Sequence, residues 1–221
     1  MFAGHVGAGL AIGSTERRVN VGLFVAAALL LDTVLWLLVL AGYESVAIPS
    51  DFARRHQAEF VFPYSHSLVA GVAWSALAAV TAWIIFARLG SARRRLALLI
   101  AAAVFSHWLL DVLVHRPEMP LAGTISPLMG LGLWNSVPAA LVIEGAIVML
   151  GLIMFIPRSG LPRGRSIAIA VLSLIILALT VAGMTLTPPP PSGFAMAASS
   201  LVSIGATCAL IAWLGRRPTQ G

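Results

Sequence analysis

The stretch Ser106-His107-Trp108-Leu109-Leu110-Asp111-Val112-Leu113-Val114-His115 decides the fold, because it sets ionisable groups into an apolar run that begins at Leu96. On an α-helix, residues four apart differ by only about 40°. His107, Asp111 and His115 therefore share one face, spread over about 12 Å of helix. Ionisable groups on so apolar a helix are costly unless they meet partners, which makes them functional-site candidates. A lone buried histidine is most often a hydrogen-bonded core residue. Two imidazoles flanking a carboxylate call for matching groups on other segments.

The rest of the chain supplies the setting. Of 221 residues, 59% are hydrophobic and 10% charged, and the mean hydropathy is +0.97. Water-soluble domains carry about 25% charged residues, so the composition reads as an integral membrane protein. The expected fold is all-α, a polytopic bundle forming a single membrane domain over residues 1–221. Six full crossings are expected at roughly 20–42, 62–87, 96–115, 131–156, 166–186 and 194–214. They are preceded by a short half-crossing segment over 2–13, too short to span a core that needs about 20 helical residues. Gly4, Gly7, Gly9 and Gly13 would let that segment pack closely against its neighbours. It has no preceding positive charge, and so does not read as a signal peptide.

All fourteen basic residues are arginine, and eleven of them fall in four clusters that alternate with poorly charged connections. These are Arg17 and Arg18; Arg88 with Arg93 to Arg95; Arg158 with Arg163 and Arg165; and Arg216 with Arg217. The positive-inside rule places that side, and the C-terminus, in the cytoplasm. The net charge of +6 is thus a topology signal rather than a nucleic-acid surface. Cys208, the only cysteine, excludes an intrachain disulfide and a thiolate zinc knuckle; it reads as packing. The 43–61 loop is external, and His56 with Arg54, Arg55 and Glu59 reads as a solvated charged patch in preference to a phosphate clamp. Tyr64 and Trp108 read as interfacial and packing aromatics.

Rise per residue sets the depth of the remaining polar groups. Asp32 lies about 18 Å above an edge at Asn20, and His107 and Asp111 about 17 and 23 Å above an edge at Leu96. His66 falls at about 24 Å and His5 at about 14 Å. Five groups from four segments thus share one layer in the outer half of the membrane. Together they form a nitrogen-and-oxygen ligand set without thiolate, which suits zinc, with manganese or iron as alternatives. His115, near the external rim, reads as a second-metal ligand, an acid or an interfacial histidine. Glu144, midway along the fourth full run, reads as completing the site, as a general base, or as the partner of a polar group on a neighbouring helix.

The same residues carry a family resemblance. The His5-containing stretch Met1–Gly9, Leu30-Leu31-Asp32, Ser65-His66-Ser67 and Ser106-His107-Trp108-Leu109-Leu110-Asp111 occur in the order found in the YdjM-like bacterial inner-membrane metal-dependent hydrolases. The chain resembles that family over roughly residues 1–120. The resemblance implies hydrolysis at a metal held by His5, Asp32, His66, His107 and Asp111. Two departures stand out. Asp32 follows Leu31 and precedes Thr33-Val34 where the family has proline and a second acid, and Phe62-Pro63-Tyr64 replaces the arginine expected before the second histidine motif. A reduced ligand set leaves open one metal rather than two, or a site that no longer catalyses.

Three functions follow as expectations. The first is a membrane-embedded hydrolase acting on an ester or phosphoester, such as a lipid, near the periplasmic face. The second is a non-enzymatic subunit with a structural polar or metal cluster, whose two C-terminal helices (160–221) act as scaffold or dock a membrane partner. The third is a transporter or proton relay, which the sparse polar lining of the cytoplasmic half disfavours. Haem ligation by two histidines fits poorly with the interleaved aspartates.

Overall fold

The structure, a computed structural model, describes residues 1–217. It is an all-α bundle with two small antiparallel ribbons at one end. In chain order the helices are α1 (Phe2–Gly13), α2 (Val21–Ala28), α3 (Leu30–Leu40), α4 (Phe52–Arg55), α5 (Leu68–Ile85), α6 (Ala92–Val114), α7 (Val137–Arg158), α8 (Arg163–Thr185) and α9 (Gly193–Leu214). Ribbon strands β1 (Ser45–Ala47) and β2 (Glu59–Val61) pair Val46 with Phe60; β3 (Met119–Pro120) and β4 (Leu128–Met129) pair Pro120 with Leu128. The last five helices are each long and apolar enough to cross a membrane, and α2 with α3 makes a sixth span bent by 50°. The chain is a multi-pass membrane protein.

Three boundaries differ from the sequence expectation. The run 20–42 is broken at Leu29 rather than continuous. Neither proline nor glycine marks the break, so the apolar pattern runs through it. The run expected from residue 62 becomes helical only at Leu68, where the Ser67 side chain accepts a hydrogen bond from the Ala70 N–H and caps α5. Capping serines of this kind satisfy one of the free N–H groups of a first turn. The run expected from residue 131 begins at Val137, after β4 and a single turn at Leu133–Asn135.

The arginine clusters gather at one end of the bundle, where their side chains close the helix termini. Arg17 donates to the Arg158 carbonyl at 2.5 Å, Arg95 to that of Thr15 at 2.6 Å, and Arg217 to those of Arg17 and Ser159. Cations suit the carbonyl-rich ends of helices. Among them the buried Glu16 accepts from both the backbone N–H and the guanidinium of Arg18. Burial pushes this carboxyl up, but the Arg18 hydrogen bonds and charge outweigh it and hold the pKa below the usual glutamate range.

The short α1 is deeply enclosed, with eight of its twelve residues buried between α2, α6 and α7. Glycine makes that possible. A Cβ on Gly7 would lie 2.8 Å from the Ile147 carbonyl oxygen and from Val148 Cα, and one on Gly151 would lie 2.3 Å from the Gly7 carbonyl oxygen. Two backbones meet here at a distance that no larger residue permits. Around this contact Leu10, Phe24, Leu29, Leu96, Val104, Val148 and Phe155 form the apolar core.

Candidate metal centre

The site begins with the polar face of α6, which points inward: His107 and Asp111 are buried, and His115 caps the helix at its outer end. The break at Leu29 contributes from the other side. Helix breaks leave carbonyls without their usual partner, and the Ala28 carbonyl oxygen accepts a 2.6 Å hydrogen bond from His107 Nδ1–H. The same break puts Asp32 in the first turn of α3, where the helix dipole favours negative charge. His66 comes from the non-helical segment before α5. Its carbonyl accepts from the Trp108 indole N–H at 3.0 Å, so Trp108 anchors this segment as well as packing.

Four ligand atoms converge, one each from Asp32, His66, His107 and Asp111, all within 4.8 Å of one another. The two Nε2 atoms stand 3.2 Å apart. Asp111 Oδ2 lies 3.3 Å from His66 Nε2 and 3.1 Å from His107 Nε2, and Asp32 Oδ1 lies 3.7 and 3.6 Å from them. For metal bonds of about 2.0–2.2 Å, the edges of a tetrahedron are about 3.3–3.6 Å. Five of the cluster's edges, at 3.1–3.7 Å, lie close to that range.

The hydrogen bonds behind the two imidazoles set their tautomers. A carbonyl oxygen only accepts, so His107 Nδ1 carries the hydrogen and the neutral ring leaves Nε2 bare. Glu44, as a carboxylate, also only accepts. Ser65 Oγ–H is therefore committed to Glu44 Oε2 at 2.7 Å, and Ser65 Oγ takes the hydrogen of His66 Nδ1 at 2.8 Å. Neutral His66 thus also turns a bare Nε2 inward. In these neutral forms two nitrogen lone pairs and two carboxylate oxygens face one another and repel unless a cation or a proton lies among them. The donor set fits a divalent metal.

The other candidates stand around this group. His5 differs from the expectation of a ligand: its Nε2–H donates to Asp111 Oδ1 at 3.1 Å, leaving Oδ2 for the centre. Its ring stacks on His107 at 3.6 Å, and its Nδ1 is buried without a partner. His115 Nδ1–H donates to Glu118 Oε1 at 2.5 Å, and its Nε2 lies 3.9 Å from Asp111 Oδ2. Glu144 is buried, accepts from the Gly4 N–H at 3.0 Å, and is not among the four converging groups. It lines a cavity of about 620 Å³ that also touches Asp32, His66, Asp111 and His115. Asp32, with its side chain 20% exposed, opens the centre to that cavity.

Three functional residues escape the sequence reading. Glu44 looks like loop charge but is buried, accepting from the N–H groups of Tyr64 and Ser65 besides the Ser65 hydroxyl. Ser65 and Glu118 each hold a histidine. Glu118 carried a signal, lying three residues after His115; Glu44 is brought to Ser65 by the β1–β2 ribbon, which no periodicity announces. Searches of family models, known proteins and solved structures found no match to the chain.

Proposed function

We propose that the chain is a metal-dependent hydrolase of the bacterial inner membrane, acting on an ester or phosphoester near the periplasmic face. The observation that carries the reading is that the His66 and His107 Nε2 atoms stand 3.2 Å apart, each ring held from behind at Nδ1 and each Nε2 facing a carboxylate. Zinc is the best fit to a four-coordinate His–His–Asp–Asp set, with manganese or iron next. When bound, such an ion lowers the pKa of a water and polarises a phosphoryl or carbonyl oxygen.

The protein's own groups do the rest. Ser65, Glu44 and the Ala28 carbonyl orient the two imidazoles, and His5 orients Asp111. Glu144, on the cavity wall, can accept the proton of an attacking water. His115 can give a proton to the leaving oxygen: Glu118 holds the ring through Nδ1–H, and Nε2 faces the centre. The aromatic rings of Phe60, Phe62 and Trp134 stand against His115 and limit water around it. The arginine end lies in the cytoplasm by the positive-inside rule, so the site opens outward.

Elemental analysis of detergent-purified protein tests the reading, with wild type beside His107→Ala and Asp111→Ala and hydrolysis of bis(p-nitrophenyl) phosphate followed in the same samples. The expected result is near-stoichiometric metal and hydrolysis in wild type, with both lost in the variants. Folded wild type that takes up no zinc, manganese or iron would overturn it.

A further inference from the structure

The cavity does not end at the metal-site residues. Beyond them it continues as a gap between α8 and α9, lined by Leu172, Ile176, Leu179, Gly183, Ser203 and Leu210 among others. The two helices touch each other only sparsely, because α8 leans on α7 and α1 while α9 leans on α2 and α3. Leu179 is 66% and Leu210 45% exposed while lining the gap, so it is open sideways to the bilayer. From Leu172 to Met184 the wall of α8 runs about 18 Å. One leaflet of a core about 30 Å thick is about 15 Å deep.

The wall is also mostly apolar. Of its five hydroxyls, those of Ser200 and Thr207 make no such bond, but the other three are turned back on their own helices: Thr180 donates to the Ile176 carbonyl, Ser199 to that of Met196 and Ser203 to that of Ser199. Such back-bonded hydroxyls offer no donor to a ligand. What remains is a mostly apolar slot between the two helices, about one leaflet long, that meets polar groups at Asp32, Asp111, His115 and Glu144.

We infer that this slot holds one hydrocarbon tail of a membrane lipid, admitted sideways between α8 and α9, so that the lipid's ester or phosphoester reaches the four-residue centre. The inference rests on the hydrolase reading for what happens at the polar end, and on the slot alone for the tail. It makes α8 and α9 the substrate clamp in place of a scaffold. It also commits the substrate class to lipids over soluble esters, since a soluble substrate has no use for an apolar gap open sideways to the bilayer.

The test uses the full chain in nanodiscs containing phosphatidylglycerol with a diazirine near the end of one acyl chain. Photolabelled peptides are mapped by mass spectrometry, and metal content is read in the same samples. In wild type the label concentrates on Leu172, Ile176 and Leu210 over the lipid-facing residues Leu77 and Ile84 of α5. A Cβ added at Gly183 meets nothing within 4 Å, so Gly183→Leu enters open space on the slot wall; Ser203→Leu adds bulk from α9. In the double variant slot labelling falls about tenfold, the scale on which methylene-sized intrusions act in apolar pockets, while α5 labelling is unchanged. Slot labelling no denser than that of α5, or unchanged in the filled variant, overturns the inference. Intact slot labelling in wild type that binds no metal overturns the hydrolase reading and leaves the tail site standing.

Discussion

Helices α1 and α8 are both apolar, yet α1 buries eight of its twelve residues and α8 only four of its twenty-three. The difference is not one of hydrophobicity. In a bilayer, apolar side chains gain little by leaving lipid for protein, so burial follows close backbone packing and polar pairing instead. Helix α1 has both: glycines that meet the backbones of α2 and α7, and His5 hydrogen-bonded to Asp111. Helix α8 has neither at its outer half, where it borders the slot. A membrane helix that cannot span is thereby fixed as an inner wall, and one that can span is left free to part from its neighbour.

That contrast is most exposed to a change of one methyl group. Gly7→Ala or Gly151→Ala forces the α1 and α7 backbones apart, and each is expected to cost about 1–3 kcal/mol, the range for overpacking a tight contact. Gly205→Ala on α9, whose Cβ meets nothing within 4 Å, is expected to change stability by less than about 0.5 kcal/mol. Thermal unfolding in detergent reads all three. Equal losses at Gly7 and Gly205 would mean that the two regions do not differ in packing.

The next largest effect separates the groups that hold the centre from the helices that border the slot. Ser65→Ala or Glu44→Gln removes the acceptor or the partner that fixes the His66 tautomer. Losing such a partner typically weakens metal binding about 10–100-fold. Competition with a chelator of known affinity measures it, and Gly183→Leu serves as the α8 comparison, expected to leave the metal in place. Metal affinity indifferent to both Ser65 and Glu44 would show that His66 is not oriented from behind.

These residues also mark how far the sequence could be read. The all-α membrane bundle is legible from composition and from the alternation of arginine clusters with apolar runs, which needs no tertiary knowledge. The inward face of α6 is legible because helical spacing alone puts His107 and Asp111 together. Asp32 and His66 are reached by depth, a coarse coordinate that tolerates the errors in helix boundaries: His66 precedes α5, yet it still meets His107 at 3.2 Å. His5 shares the layer but serves Asp111 Oδ1, a distinction of a few ångströms that depth does not resolve. Glu44 and the free Ala28 carbonyl were out of reach for a different reason. One depends on a ribbon between two three-residue strands, the other on a helix break that no proline or glycine announces.

The smallest expected effect lies at the opposite end, where the arginines gather far from the metal-site residues. Glu16→Gln keeps the shape of the side chain but removes the charge that Arg18 binds, and is expected to cost about 0.5–1 kcal/mol, as for a partly solvated ion pair. Because the Glu16 pKa is lowered in the folded protein, its contribution is present above the unfolded carboxyl pKa and is lost as pH falls through the folded value. The gap between wild type and variant should therefore be full at neutral pH and close on acidification below about pH 4. Metal content should be the same in both proteins throughout the neutral range, because no hydrogen bond links Glu16 to the ligand set. A Glu16→Gln protein that loses metal at neutral pH would instead tie the arginine end to the centre through α1, whose C-terminus Glu16 follows and whose His5 touches Asp111.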